Sequence, residues 1–168
     1  QAFNRVCTEL FAAPERMGVA ALLMMDLDNL KHINDTYGHD WGDQYIRRTG
    51  QCLRDNTPAG TVCARLSGDE FLVLFHGYRS RDEVRKKIDY LTKAMQINVA
   101  LLPSGNALHI SLSGGIAWYP DDGQDWETLK KYADFAMYQV KHSDKGRVEE
   151  FDIGVYNREA YAERTRRE

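Results

Sequence analysis

The chain has 168 residues with 22 basic and 25 acidic side chains, a net charge of −3, and 43% apolar residues, which is material for one domain that buries about two thirds of its unfolded surface without disulfide or zinc staples. Near-neutral charge excludes a dedicated nucleic-acid binder, whose counterion release needs a basic face. The longest apolar run, from Val19 to Met25, falls far short of the about 20 residues that cross a bilayer, and neither a secretory leader nor a polybasic tether accompanies it, so no direct membrane contact is expected.

In chain order, residues 3–13 carry apolar Phe3, Val6, Leu10 and Phe11 at helical spacing and stop before Pro14 and Gly18. Val19 to Leu27 reads as a strand buried on both faces that ends in acids, Asp26 and Asp28. A short helix follows from Leu30 to Tyr37, closed by Gly38, and a longer one covers 41–55. Residues 61–66 and 70–75 form a hairpin turned by Ser67, Gly68 and Asp69, with Phe71 as its inward anchor. The spacing of Val84, Ile88, Leu91 and Met95 predicts a helix over 81–99. A strand is expected over 108–118, a helix over 126–142 and an edge strand over 148–151. This order predicts an α+β, ferredoxin-like sheet, antiparallel in the middle, with an inserted helix and helices on one side. Cys7, Cys52 and Cys63 are odd in number and lack metal spacing, as reduced thiols of a cytoplasmic protein would be.

Four carboxylates, Asp26, Asp28, Asp69 and Glu70, come from segments that a small sheet can bring together. Clustered carboxylates repel unless a cation neutralises them, and hard oxygen ligands suit magnesium, which takes one or two carboxylates plus substrate phosphates. Acids beside turns also serve as solvated caps; against that, Asp26 directly follows the apolar stretch from Ala21 to Met25. Backbone amides at a helix start near Asn29 and Leu30 can receive phosphate oxygens, and Lys31 adds a point charge for the same anion. Asn34 and Asp43 have the donors and acceptors to read a purine such as guanine, or they act as local turn and cap residues. His32, His76, His109 and His142 match no site.

The stretch from Asp26 to Asp43 fits the pattern D-x-D-x-x-K-x-x-N-D-x-x-G-H-x-x-G-D at every fixed position, and Ser67-Gly68-Asp69-Glu70-Phe71 follows it. Together with the segment around Ile110 to Ile116 and with Ala133-Asp134-Phe135-Ala136-Met137-Tyr138, the chain resembles a GGDEF domain of the diguanylate cyclase family over nearly its whole length. The resemblance implies a nucleotidyl-cyclase-like fold that joins two GTP into cyclic di-GMP, releasing pyrophosphate, as an antiparallel homodimer. It implies that Asp26, Asp69 and the carbonyl of Leu27 hold Mg2+, with Mn2+ able to substitute, and that Asp69, Lys31 and Glu70 are catalytic. Asn34, His39, Asp43, Asn29, Leu30, Gly68, Lys141 and Arg147 are the substrate-binding residues it implies.

The chain departs from the family pattern at three places. Ser67 replaces the first glycine of the turn, where a side chain would strain positive φ or crowd a ribose. The turn after Lys141 is lengthened, putting Arg147 six residues on, with Lys145 between them. An inhibitory R-x-x-D pair is missing, since Pro58 and Thr61 stand at its charged positions. The lengthened turn and Glu150-Phe151-Asp152 resemble GGDEF domains joined to an EAL phosphodiesterase domain, so attached EAL and sensory domains are expected, and any membrane anchor of the full-length protein would lie in them. Residues 1–155 then form the GGDEF domain and 156–168 a charged helical connector. A GTP-binding regulatory domain with weak or no turnover, attached to a phosphodiesterase, is the alternative function.

Overall fold

The computed structural model describes residues 2–167. The chain runs α1 (Ala2–Phe11), α2 (Pro14–Met17), β1 (Val19–Leu27), α3 (Leu30–Tyr37), α4 (His39–Asp55), β2 (Val62–Ser67) and β3 (Glu70–Tyr78). It continues through α5 (Arg81–Gln96), β4 (Val99–Leu101), β5 (Ala107–His109), β6 (Leu112–Tyr119), α6 (Trp126–Lys141), β7 (Val148–Glu150) and α7 (Ile153–Arg167). The main sheet has the order β2-β3-β1-β6-β7. Its central strand β1 pairs antiparallel with β3 and β6, while β7 adds a parallel edge to β6.

The expected α+β class and antiparallel centre are present, but the helices cover both faces of the sheet rather than one. The reason lies in β1, which is apolar at both parities. Ala21, Leu23, Met25 and Leu27 pack with Tyr45, Leu53, Ile88 and Leu91 of α4 and α5. Ala20, Leu22 and Met24 pack with Leu10, Leu129 and Ala133 of α1 and α6. A strand with no polar face needs a layer on each side, because burial of each leucine or methionine side chain is worth about 1.5–3 kcal/mol. On β6, Gly115 lets α6 come close: a Cβ there would overlap the Ala133 carbonyl and lie 2.8 Å from the Ala136 Cβ.

Four further spans differ from the sequence reading. The residues after Phe11 re-form a single turn, α2, which buries Met17 behind Pro14. Helix α5 ends at Gln96, and residues 99–101 instead pair with 107–109 in a small separate hairpin, as Val99 and the Pro103-Ser104-Gly105 turn favour. The strand expected over 108–118 breaks between β5 and β6, where the Ser111 carbonyl accepts from the Asp28 N–H at 2.9 Å. Ser67 belongs to β2 and pairs with Glu70, so the hairpin turn is only Gly68-Asp69.

Helix α7 starts at Ile153, ahead of the expected connector, and Tyr156 docks it on Tyr132 and Phe151. The last connector residue, Glu168, and the first residue of the expected domain, Gln1, lie outside the described residues. Among the described residues no helix is long and apolar enough to cross a membrane.

Candidate active site

The carboxyl end of β1 assembles the acids. Asp26 lies opposite Glu70 on β3 and Ser113 on β6. The Leu27 N–H donates to the Asp69 carbonyl at 2.8 Å, which fastens the hairpin turn against the end of β1 and brings Asp69 beside Asp26. Gly68 has φ +23° and open space where a Cβ would stand. Ser67 is exposed and has no positive φ, so its β-carbon strains nothing, which corrects the expectation of a strained turn.

Asp26 is the least satisfied member of the set. Its side chain is 19% exposed, Oδ2 lies 3.1 Å from Lys141 Nζ, and Oδ1 is buried without a hydrogen-bond partner. Burial first, and the neighbouring Asp69 carboxylate second, push its pKa up to about 6 against the pull of Lys141. A buried carboxylate oxygen with an open lone pair, next to a second carboxylate, is a hard-oxygen donor set that fits magnesium or manganese. Among the described residues no group of three or more His, Cys, Asp or Glu side chains could hold a metal ion. Two carboxylates would leave the remaining positions to a carbonyl, water or phosphate, which is the usual manner of magnesium.

Asp28, expected among the clustered acids, has a different role. Its side chain is 1% exposed. Oδ2 accepts from Ser111 Oγ at 2.8 Å, Oδ1 accepts from Ser113 Oγ at 2.7 Å, and Lys141 Nζ stands 3.7 Å from Oδ1. The Tyr45 hydroxyl adds a backbone clasp, accepting from the Ser111 N–H at 2.9 Å and donating toward the Ser111 and Asp28 carbonyls. Burial holds that hydroxyl protonated, with its pKa up to about 12. Tyr45 is a core side chain, as its place on the helical pattern of α4 suggests, but its clasp on the backbone and the grip of Ser111 and Ser113 on Asp28 were not foreseen; two serines at alternate positions beside an otherwise apolar strand were the available signal.

The second half of the site is the α3–α4 corner. Asn29 adopts φ +65° and starts α3 without a side-chain cap, and the first-turn amides of a helix have no acceptor within it. Lys31 lies exposed on that turn. Gly38, at φ +94°, ends α3 and donates its N–H to the Asn34 carbonyl at 2.9 Å. The bend packs Asn34 against α4: a Cβ on Gly42 would overlap Asn34 Oδ1 and lie 2.8 Å from its Cγ. His39 and Asp43 are exposed on the first turns of α4. Asn34 and Asp43 thus sit at one corner, and Gly42 is the residue that permits it.

Lys141, the last residue of α6, reaches the acids, but Arg147 does not. Arg147 donates to Ser143 Oγ at 3.0 Å and pairs with Glu149 at 3.0 Å. It faces a cavity of about 870 Å3 between α5 and the β6–β7 edge, whose wall also includes Ile88, Met95, Ser111 and Gly146. The expected phosphate role of Arg147 therefore has no support in this arrangement.

A family model described as diguanylate cyclase, GGDEF domain, matches residues 1–147. The chain is 39% identical over 130 residues to the bifunctional diguanylate cyclase/cyclic di-GMP phosphodiesterase MucR of Pseudomonas aeruginosa, covering 76% of this chain and 18% of MucR. It is 31% identical over 129 residues to the diguanylate cyclase DosC of Escherichia coli K12, covering 77% of this chain and 28% of DosC. The chain spans less than a third of the length of either relative. Among solved structures it superposes on the GGDEF domain of YfiN (TpbB) from Pseudomonas aeruginosa with a TM-score of 0.80 at 31% identity, over 90% of this chain and 93% of that one. An EAL/GGDEF domain protein from M. capsulatus matches with a TM-score of 0.74 at 32% identity, over 90% and 97% of the two chains.

Proposed function

Since the chain belongs to the GGDEF domain family of diguanylate cyclases, we propose that it condenses two GTP into cyclic di-GMP and releases two pyrophosphates. The observation that carries this reading is the Asp26–Asp69 pair at the mouth of the central strand, with Asp26 Oδ1 buried and unpartnered. Asp26, Asp69 and the Leu27 carbonyl are the groups that would hold Mg2+ or Mn2+; when bound, the ion neutralises triphosphate charge and polarises the reacting phosphate.

This chain's own residues do the rest. Asp69 accepts the proton of the ribose 3′-hydroxyl as that oxygen attacks the α-phosphorus and pyrophosphate leaves, with Glu70 beside it at the acid edge. Lys31 and the first-turn amides at Asn29 and Leu30 hold phosphate oxygens, and Lys141 adds a second cation. Asn34 and Asp43 read the guanine, while His39 and Gly68 border the bound nucleotide. One domain presents one GTP, and the 3′-oxygen of each must reach the α-phosphorus of the other, so the active form is a two-fold homodimer. Free Cys7, Cys52 and Cys63 fit a cytoplasmic location. The likeness to the bifunctional MucR, to an EAL/GGDEF domain protein and to a sensory box/GGDEF family protein supports work beside EAL and sensory domains in a longer protein.

The test is incubation of the domain with GTP and Mg2+ at a protein concentration that populates dimers, with cyclic di-GMP and pyrophosphate quantified by chromatography and Asp69→Ala as the inactive control. Product from the parent and none from the variant supports the reading. GTP binding without product in both replaces it with the regulatory one, for which the diverted Arg147 is the structural argument.

A further inference from the structure

Lys141 is shared. Its ammonium lies 3.1 Å from Asp26 Oδ2 and 3.7 Å from Asp28 Oδ1, with the Asp26 side chain partly open to solvent and Asp28 sealed. One cation faces two carboxylates, with Asp69 close behind Asp26. The sealed partner belongs to a continuous polar chain: the Gly146 N–H donates to Ser113 Oγ at 3.1 Å, Ser113 donates to Asp28 at 2.7 Å, and Asp28 faces Lys141. Both ends of the lengthened turn after α6 are thereby fastened to one buried carboxylate, Lys141 by charge and Gly146 by its amide.

We propose that Lys141 is a resident counter-ion that competes with the divalent cation for Asp26, and that Asp28 is the positioning residue that limits this competition by holding Lys141 back. The inference rests on reading Asp26 as the metal carboxylate. Oδ1 of Asp26 is the vacant donor and Oδ2 carries the ammonium, so an ion on one oxygen is repelled by the lysine on the other. Asp28 offers the ammonium an alternative that no ion takes, because its two oxygens are already occupied by serine hydroxyls and closed to solvent. When Asp26 turns to a divalent ion, Lys141 keeps its hold on Asp28 and stays at the site's edge.

The experiment is a double-mutant cycle read as Mn2+ affinity, measured by the loss of the free-ion electron paramagnetic resonance signal without nucleotide, alongside thermal unfolding in EDTA. Lys141→Met should bind Mn2+ about five- to tenfold more tightly, the size expected for removing one partly buried like charge from an ion site. It should also melt lower in EDTA, since Asp26 and Asp69 then repel without compensation. Asp28→Asn keeps the shape and one of the two serine contacts, the other reversing so that the serine accepts from the amide, but it releases Lys141 onto Asp26, so Mn2+ should bind several-fold more weakly. In the Lys141→Met background most of that loss should vanish.

A role of Asp28 in folding alone would weaken Mn2+ equally in both backgrounds, and that result overturns the proposal. So does weaker Mn2+ binding by Lys141→Met, or an absence of Mn2+ binding by the parent at millimolar concentration. Cyclic di-GMP formation by the parent is scored separately: a parent that yields no product while the cycle behaves as stated refutes the cyclase reading and leaves this one standing.

Discussion

Replacing Gly42 by alanine sets a gain in stability against a loss of recognition in one atom. Gly42 lies inside α4, where alanine is favoured by up to about 1 kcal/mol. The added methyl would occupy the place of Asn34 Oδ1, 2.8 Å from Cγ, and the obstacle is the end of a side chain rather than backbone. Asn34 therefore swings aside at a cost of about 0.5–1.5 kcal/mol. The two terms nearly cancel, so the melting temperature should move by no more than about 2–4 °C in either direction. Recognition has no such offset. If Asn34 makes two hydrogen bonds to guanine worth about 1–1.5 kcal/mol each, Gly42→Ala should weaken GTP about 30- to 150-fold. ATP, which cannot use those bonds, should change little. Titration of fluorescent GTP and ATP analogues, paired with thermal unfolding, reads both quantities. Unchanged GTP affinity would refute Asn34 as the guanine reader; equal loss of both nucleotides with a large fall in melting temperature would refute the claim that only Asn34 yields.

Ser67→Gly should leave turnover within about twofold, because Ser67 is an exposed strand residue without positive φ and has no strain to release; a tenfold gain in cyclic di-GMP formation would contradict this. Cyclic di-GMP should not inhibit the domain at low micromolar concentration, since Pro58 and Thr61 lack the charges to clamp a phosphodiester; noncompetitive product inhibition would show otherwise. The Glu150 carboxylate is held below its ordinary value by the Arg85 fork and by the Trp118 indole N–H. Its contribution to stability is present above the ordinary glutamate pKa and is lost as pH falls through the depressed one. Glu150→Gln should therefore flatten the acid limb of the stability–pH curve below about pH 4.5, and an unchanged limb in denaturant titrations would show that the pair does not act on folding.

What the sequence made legible was local or periodic. The run from Val19 to Leu27 announced a central strand because both parities are apolar, and the same fact, followed through, requires helices on both faces. The spacing from Asp26 to Asp43 pointed to the candidate site because α3 is short and joined to the first turns of α4 by one glycine, so these residues lie within a few turns of each other. What stayed hidden depends on distant partners. Nothing near Asp28 announces that Ser113, 85 residues on, will bury it. Helical spacing through Met95 says nothing of the pairing between 99–101 and 107–109 that ends α5. Arg147 has the right charge at a lengthened spacing, and the decisive fact is Glu149 two residues later, within reach to capture it.

Asp26 and Asp28 show how two identical residues in one motif part company. Both stand at the end of β1, two positions apart, a spacing that in a continuing strand would give them one face and one environment. The strand stops at Leu27, and Asn29 turns the backbone through a left-handed conformation. Asp28 is pulled under the Ser111–Ser113 segment through its own N–H and both carboxylate oxygens. Asp26 has no hydroxyl partner; it keeps a lysine on one oxygen and no hydrogen-bond donor on the other, with the Asp69 carboxylate beside it. A carboxylate saturated by neutral donors is a fixed structural charge, whereas one left short of donors binds an ion with little to displace. The serines thus decide which acid of the motif keeps an oxygen without a donor, and moving them would leave Asp28 the unsatisfied one.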